Sequence, residues 1–409
     1  MNNKNGYYHK YVRSFINFLV PSNKKVFDIE YNKLDFSNTD KNYDYIIASD
    51  ILGYVFDVEK FLKDVSTLTN NDGRIIITQY NVLWEPILVL ASKLGLRKPM
   101  TKQNWLSKLD IINFAHLAGL ETVKSGTKMI MPKYIPLISA FFNKFVSNVF
   151  PFSRLGIFHY LVFRKKIHSS RTKLYSLSVI VPARNEAGTI AKIIKELPKL
   201  GSFTEIIFIE GHSSDNTLEE IKKYSNNKNI RYAIQDGKGK GDAVRKGFDM
   251  AKGDILAIYD ADMTVPADEI YKFYEAITTN KGDFINGSRL IYPMEKESMR
   301  ILNIFGNKFF SFSFSSILGQ PIKDTLCGTK VLWKRDYENI KKNRSFFGDF
   351  DPFGDFDLLF GAVKLNLKII DMPIHYKERK YGVTNISRWK HGWLLLKMTI
   401  FAARKIKFV

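Results

Sequence analysis

Two aspartates one residue apart, Asp260 and Asp262, stand in the stretch "GDILAIYDADMTVPADEI". The run before them, Ile255 to Tyr259, is apolar and reads as a buried strand. In an extended segment residues i and i+2 point to the same side. The pair would therefore set two carboxylates together, which repel unless a cation lies between or beside them. A hard divalent ion, Mg2+ or Mn2+, held by one or two carboxylates and by substrate phosphates, meets that need. The plainer reading is a solvated turn that caps the helix beginning at "PADEI"; the surroundings tip the balance toward the metal reading.

Those surroundings are strands alternating with helices. "LSVIVPARNEAGTIAKIIKEL" reads as a strand, Leu177 to Val181, a loop, and a helix with Ile190, Ile193, Ile194 and Leu197 on one face. "TEIIFIEGHSSDNTLEEIKKY" repeats the pattern, with Ser214, Asp215 or Asn216 as caps. "KGDAVRKGFDMAKGD" is a helix that leads into the strand before Asp260. The alternation predicts a parallel sheet covered on both faces, with ligands at the carboxyl ends of its strands. The glycine-rich "GKGKGD" looks like a phosphate loop but lacks the Ser or Thr of a Walker A motif, and reads as a glycine-rich turn near the ligand.

The chain has 409 residues, room for two or three domains, and a formal net charge of +21, which points to an anionic partner. Its one cysteine, Cys327, excludes a disulfide framework and a cysteine-based zinc site, and reads as a packed residue rather than a nucleophile. The N-terminal "FINFLV" is too short for a signal-peptide core. "YIPLISAFFNKFVSNVFPFS" and "ILNIFGNKFFSFSFSSILGQPI" are apolar but interrupted by Lys144, Pro151 and Lys308, so they suit a core or a membrane interface rather than a span. The basic segment "RKKIHSSRTKLYS" divides the chain. The expected layout is a domain over 1–165, a linker over 166–176, a domain over 177–390 and an amphipathic tail over 391–409. That tail, with apolar and aromatic residues between Lys and Arg, suits a helix lying on anionic lipid.

Residues 177 to about 390 resemble the family 2 glycosyltransferases, and among them the polyprenyl-phosphate (dolichyl-phosphate) sugar transferases. The resemblance rests on "SVIVPARNEAGTI", "EIIFIEGHSSDNT", "GKGKGDAVRKGF", "YDADM", "NGSR", "DTLCGTK", "GDFDLLFGAVK" and "YKERKYGVTNISRWKHG", in that order. It implies a Rossmann-like GT-A sheet, a nucleotide-diphosphate-sugar donor, inversion at the sugar carbon, and no nucleic acid. It implies that Pro182, Ala183, Arg184, Glu186, Glu210 and Lys240 bind the donor together with Asp260, Ala261 and Asp262. Glu210-Gly211 stands where the family usually has two aspartates, which leaves the nucleobase open. The resemblance further implies a metal at Asp260 and Asp262 with Thr264 beside them, and Arg289 and Arg379 near the phosphates as catalytic groups with Asp262. Arg379, Asp324 and Asp357 fall to the acceptor. A lipid-phosphate acceptor is already an anion and needs no general base; a hydroxyl acceptor would need one, from Asp355 or Asp357. The expected protein is a metal-dependent polyprenyl-phosphate sugar transferase, peripheral on the cytoplasmic face of a membrane.

"YDYIIASDILGYVFDVEKFLKDVSTLTNNDGRIIITQYN" and "NWLSKLDIINFAHLAGLETVKSG" resemble the later part of a class I methyltransferase that uses S-adenosylmethionine. The glycine loop that lets backbone approach the cofactor is missing, because no glycine occurs between Gly6 and Gly53. The first half is thus expected to be a shortened, non-catalytic methyltransferase-like domain. The alternatives are transfer to a glycan or glycolipid hydroxyl, a methyltransferase with a regulatory sugar-nucleotide-binding half, and a catalytically dead scaffold.

Overall fold

The computed structural model describes residues 6–30, 34–37, 39–95, 104–167, 174–291, 301–346, 356–379, 381 and 388–409. The chain forms two compact units, Met1–Ile167 with Ile406–Val409, and His168–Lys405. The candidate base Asp355, most of the 166–176 segment and most of the block after Arg379 lie outside the described residues.

The first unit runs α1 (Tyr7–Leu19), β1 (Val26–Asp28), β2 (Tyr43–Ser49), α2 (Val58–Leu68), β3 (Thr69–Tyr80), α3 (Glu85–Lys93), α4 (Lys108–Leu117), β4 (Leu120–Lys128), α5 (Ile138–Lys144) and β5 (Phe158–Lys165). Its sheet order is β1-β2-β3-β5-β4, with β5 antiparallel to both neighbours and the other pairs parallel. Strand alternation supplies two cores. Ile46, Ala48, Ile75 and Ile77 face α2 and α4, while Tyr45, Ile47 and Ile76 meet α1. The α1 stripe Tyr8, Val12, Phe15, Ile16 and Leu19 has helical spacing. Asp57 caps α2, and Ser107 with Asp110 forms a capping box on α4. Among the described residues no helix lies between β1 and β2.

The second unit runs β6 (Leu177–Ala183), α6 (Ile190–Glu196), β7 (Thr204–Glu210), α7 (Thr217–Lys222), β8 (Ile230–Ile234), α8 (Lys240–Met250), β9 (Ile255–Ile258), α9 (Ile270–Thr278), β10 (Phe284–Ser288), α10 (Ile301–Leu318), β11 (Lys330–Trp333), α11 (Lys334–Lys342), α12 (Phe356–Lys364), β12 (Ile369–Pro373) and α13 (Arg388–Ala402). The sheet order is β12-β10-β11-β9-β6-β7-β8. The parallel pairing expected from the alternation holds for β9, β6, β7 and β8 and for β10 with β12. It fails at β11, which is antiparallel to β9 and β10. β11 enters the sheet from the carboxyl ends of its neighbours, so the segment before it crosses the ligand end. All four residues of β9 are 0% exposed, which explains their unbroken apolar run: both faces are covered. Phe208, Phe248 and Phe273 are likewise buried, each contributing about 1.5–3 kcal/mol.

The 391–409 stretch is not one free element. α13 ends at Ala402, a π-helical turn spans Ala403–Lys407, and Ile406–Val409 belong to the first unit. There the Lys407 carbonyl accepts from Lys128 Nζ at 2.8 Å, and Phe408 meets Phe145 with ring centroids 5.5 Å apart.

Candidate active site

The carboxyl ends of β6, β7 and β9 carry three loops that are tied together. Asn185, at φ 57°, accepts from Ser214 N at 2.8 Å through its side chain, and its own N–H donates to Ser213 Oγ at 3.0 Å. Glu186 N donates to Thr217 Oγ1 at 2.9 Å. These bonds stitch the loop after β6 to the loop after β7 and fix Glu186 at their junction. Glu210 Oε1 accepts from Ser213 N at 2.6 Å, so its carboxylate closes the turn that follows β7. Pro182 and Ala183 form the last rungs of β6 beside β7, and Arg184 is exposed just beyond.

β9 stops at Ile258, and Asp260 and Asp262 sit in the turn after it, with Met263 at φ 53°. Strand alternation therefore does not set their directions; individual partners do. Asp260 Oδ1 lies 2.6 Å from Lys240 Nζ, at the start of α8. Burial works against the Asp260 charge, but Lys240, the buried Lys330 and Arg289 together hold its carboxyl below the usual range. Asp262 Oδ1 accepts from Thr264 N at 3.1 Å and from Thr264 Oγ1 at 2.9 Å, so Thr264 orients the carboxylate. Asp262 Oδ2 accepts from Arg379 Nη2 at 2.7 Å.

Arg379 also donates through Nη1 to Glu186 Oε1 at 3.1 Å and so bridges two acids 76 residues apart in the chain. Its backbone is held in place by Lys377 N, which donates to Thr264 O at 2.8 Å. The Tyr381 ring packs on Gly188, where an added Cβ would stand 2.6 Å from the ring. Glu186 is 6% exposed, and its Oε2 has no hydrogen-bond partner. Burial pushes its carboxyl up to about 7; Arg379 opposes the rise, and Asp262, Asp215 and Asp260 add to it.

Of the other residues expected at the site, Arg289 and Asp324 are committed to each other. Arg289 Nε and Nη2 donate to Asp324 Oδ2 and Oδ1 at 2.7 and 2.9 Å, and Arg289 N donates to Oδ2 at 3.1 Å. Burial disfavours the Asp324 charge, yet Arg289 outweighs it and the carboxyl stays below its ordinary value. This pair anchors the loop before β11. Asp357 on α12 faces Arg245 at 3.7 Å and Arg344 at 3.5 Å. Cys327 is 1% exposed, and burial pushes its thiol up to about 11, as suits a packed residue.

Sequence reasoning passed over Gly328. A Cβ there would stand 2.7 Å from Asp260 Cγ and closer still to Asp260 Oδ2 and Lys240 Nζ. The glycine is what lets the crossing segment lie against the Lys240–Asp260 pair. Its only signal in the sequence was membership of "DTLCGTK".

Among the described residues no group of three or more His, Cys, Asp or Glu is placed to hold a metal. The donors at hand are the hard oxygens of Asp260 and Asp262, with the unpartnered Glu186 Oε2 in the same cluster. That set fits Mg2+ or Mn2+ that takes its remaining ligands from a diphosphate and water, and not a soft metal.

Residues 178–341 match the family model described as glycosyl transferase family 2, and residues 7–125 match a methyltransferase domain. The dolichol-phosphate mannosyltransferase of Pyrococcus furiosus is 33% identical over 249 residues, covering 57% of this chain and 67% of that protein. The glycosyltransferase AglJ of Haloferax volcanii is 26% identical, covering 54% of this chain and 69% of its own length. Against two further Haloferax volcanii relatives, the low-salt glycan hexosyltransferase Agl6 and the glycosyltransferase AglD, the chain spans 51% and 33% of the relative. Glucosyl-3-phosphoglycerate synthase of Mycobacterium tuberculosis, solved with Mn2+, UDP and glucosyl-3-phosphoglycerate, aligns at 16% identity over 57% of this chain and 80% of that one, with a TM-score of 0.42. The chain belongs to glycosyl transferase family 2 and is related to the dolichyl-phosphate sugar transferases. It is a glycosyltransferase whose family 2 unit follows a methyltransferase-like α/β unit.

Proposed function

We propose that this chain transfers a sugar, with inversion, from a nucleoside-diphosphate donor to a polyprenyl phosphate at the cytoplasmic face of a membrane. The observation that carries the reading is the convergence of Glu186, Asp260, Asp262, Lys240 and Arg379 at the carboxyl ends of β6 and β9. Pro182, Ala183, Arg184 and Glu210 would border the nucleoside, and Lys240 the diphosphate. Asp260 and Asp262 would hold Mg2+ or Mn2+, which when bound neutralises charge on the departing nucleoside diphosphate. Arg379 already spans Glu186 and Asp262, so its charge lies where an anionic donor or acceptor phosphate would be received. An acceptor phosphate needs no proton removed, and Asp357 is engaged by two arginines rather than aimed at this cluster.

Two further observations favour a lipid acceptor. Relatives are named as dolichyl-phosphate β-glucosyltransferases. The second unit also exposes Phe309 and Phe312 on α10 and Trp393 on α13, while no helix among the described residues is long and apolar enough to cross a membrane. The first unit, without a glycine loop after β1, is read as non-catalytic.

The test is incubation with membranes and a panel of radiolabelled uridine and guanosine nucleotide sugars. Label is expected in a lipid fraction and should be released by mild acid, because a glycosyl phosphate leaves easily. Arg379→Ala should lower transfer by roughly 10- to 150-fold, the loss of a charge-assisted bond. An acid-stable product whose formation collapses in Asp357→Asn would overturn the lipid-phosphate reading in favour of a hydroxyl acceptor.

A further inference from the structure

The segment from Lys133 to Leu155 in the first unit is built inside out. On and after α5 the inward positions are polar: Ser139, Asn143, Ser147 and Asn148 are all at most 6% exposed. Each has hydrogen-bond partners. The Asn143 side chain accepts from Ile130 N and Met131 N at 2.9 and 2.8 Å, and donates to Met131 O at 2.8 Å and Tyr7 Oη at 3.3 Å. Ser139 Oγ accepts from Ile135 N and donates to Lys133 O, both at 2.7 Å. Asn148 Oδ1 accepts from the buried Lys128 Nζ at 2.8 Å. The outward positions are apolar: Leu137, Ile138 and Phe141 are 87%, 48% and 54% exposed, and Phe150 is 67% exposed. A helix that meets water normally shows the reverse pattern.

A second apolar stripe adjoins it. Leu83, Ile87, Leu90 and Leu94 recur at helical spacing along α3 and its ends, each at least 56% exposed, and no described residue of α3 is buried. Trp84 Nε1 donates to Leu155 O at 2.9 Å, and Asn81 Nδ2 donates to Arg154 O and Gly156 O at 3.2 and 2.8 Å. These bonds set the start of α3 against the end of the 133–155 segment, so the two apolar stripes adjoin there.

The charge around this face selects its occupant. From Thr122 to Asn185 the sequence has no Asp or Glu and eleven Lys or Arg. Lys93, Lys133, Lys144 and Arg154 are exposed beside the apolar positions. Over 82–95 and 133–155 the one acid is Glu85, half-buried at the start of α3, so the apolar and aromatic side chains lie within a predominantly cationic border, which matches the boundary between acyl chains and anionic headgroups.

We propose that the methyltransferase-like unit is a membrane-docking module, which inserts Leu137, Phe141, Phe150 and the α3 stripe into an anionic lipid interface. The inference deepens the membrane reading above by assigning the attachment to the first unit. It rests on that reading only for the class of surface, because docking needs neither donor nor acceptor.

The 409-residue chain supplies its own probe site. Cys327 is buried, so Phe141→Cys can be labelled selectively with an environment-sensitive dye. With phosphatidylcholine–phosphatidylglycerol vesicles, and no sugar nucleotide, the dye should shift to the blue and the protein should float with the vesicles. Leu137→Glu/Phe141→Glu should weaken flotation by at least about tenfold, and Lys133→Glu/Lys144→Glu by about fivefold per charge on anionic vesicles only. Far-ultraviolet circular dichroism and cooperative denaturant unfolding should stay unchanged in both variants, which shows that the first unit folds, and nucleotide-sugar binding measured by calorimetry should stay unchanged as well. The proposal is overturned by absent flotation, by flotation that survives Leu137→Glu/Phe141→Glu but is lost in Trp393→Glu, or by a lipid-free dimer in sedimentation that accounts for the dye shift. Failure of sugar transfer to lipid would leave this result standing, and the reverse also holds.

Discussion

Replacing Gly328 by alanine adds one methyl group at the point where the segment before β11 crosses the site. An alanine Cβ there would stand 2.7 Å from Asp260 Cγ and would overlap Asp260 Oδ2 and Lys240 Nζ. Lys240 can swing its long chain aside, but Asp260 has a single side-chain carbon before its carboxylate and must turn or push the loop. Either way the 2.6 Å Lys240–Asp260 pair is broken. A charge-assisted bond in a partly buried site is worth roughly 1.5–3 kcal/mol, which corresponds to about a 10- to 150-fold loss in kcat/KM. Gly328 is not among the residues with positive φ, so alanine adds no backbone strain, and the loss in thermal unfolding should not exceed the roughly 1.5–3 kcal/mol of the broken pair. The assay is initial rate at subsaturating donor for wild type, Gly328→Ala, Lys240→Met and the double variant. If the pair is the common target, the double variant should lose little more than either single one. Wild-type kcat/KM in Gly328→Ala, or fully additive losses in the double variant, would refute the reasoning.

Further outcomes follow from the same geometry. The Glu186 carboxyl is raised from 4.5 to about 7 by burial, so its charge opposes folding above that value, and the penalty fades as pH falls toward 4.5. Glu186→Gln should therefore be more stable than wild type at pH 8, by up to about 3 kcal/mol, with no gain near pH 4.5; a gain largest at acid pH would contradict the assignment. Asp262→Asn should abolish transfer while the melting curve keeps its shape, and full wild-type turnover in excess chelator would remove the metal from the reading. Asp324→Asn leaves Arg289 buried without its anion and should cost about 3–5 kcal/mol of stability, read by denaturant unfolding; an inactive but fully stable variant would move the pair into the chemistry. Calorimetric titration with S-adenosylmethionine should give no saturable heat.

Much of the site was legible along the chain because local physics wrote it there. The apolar run into Asp260 could only be a strand covered on both faces, and a carboxylate at its end marks the ligand side of a parallel sheet. The cap candidate Asp215, which accepts from Thr217 N, and the helix patterns at Ile190 and Ile193 likewise follow from short-range preferences. The reversal at β11 left no such trace: the four residues Lys330–Trp333 pair in either direction with equal ease, and only the packing of the elements around them fixes the choice.

What the sequence determined by itself was therefore the set of reactive residues and the strands that end near them. Tertiary structure decided how those residues are shared. Asp262 meets Arg379 because a backbone bond from Lys377 to Thr264 brings a distant segment across the sheet. Arg289 meets Asp324 because β10 and the crossing before β11 lie side by side. Gly328 matters because that crossing leaves no room for a side chain above Asp260. These partnerships join residues from 35 to 117 positions apart. No local preference encodes such a pairing, since it exists only once the sheet has set the distances.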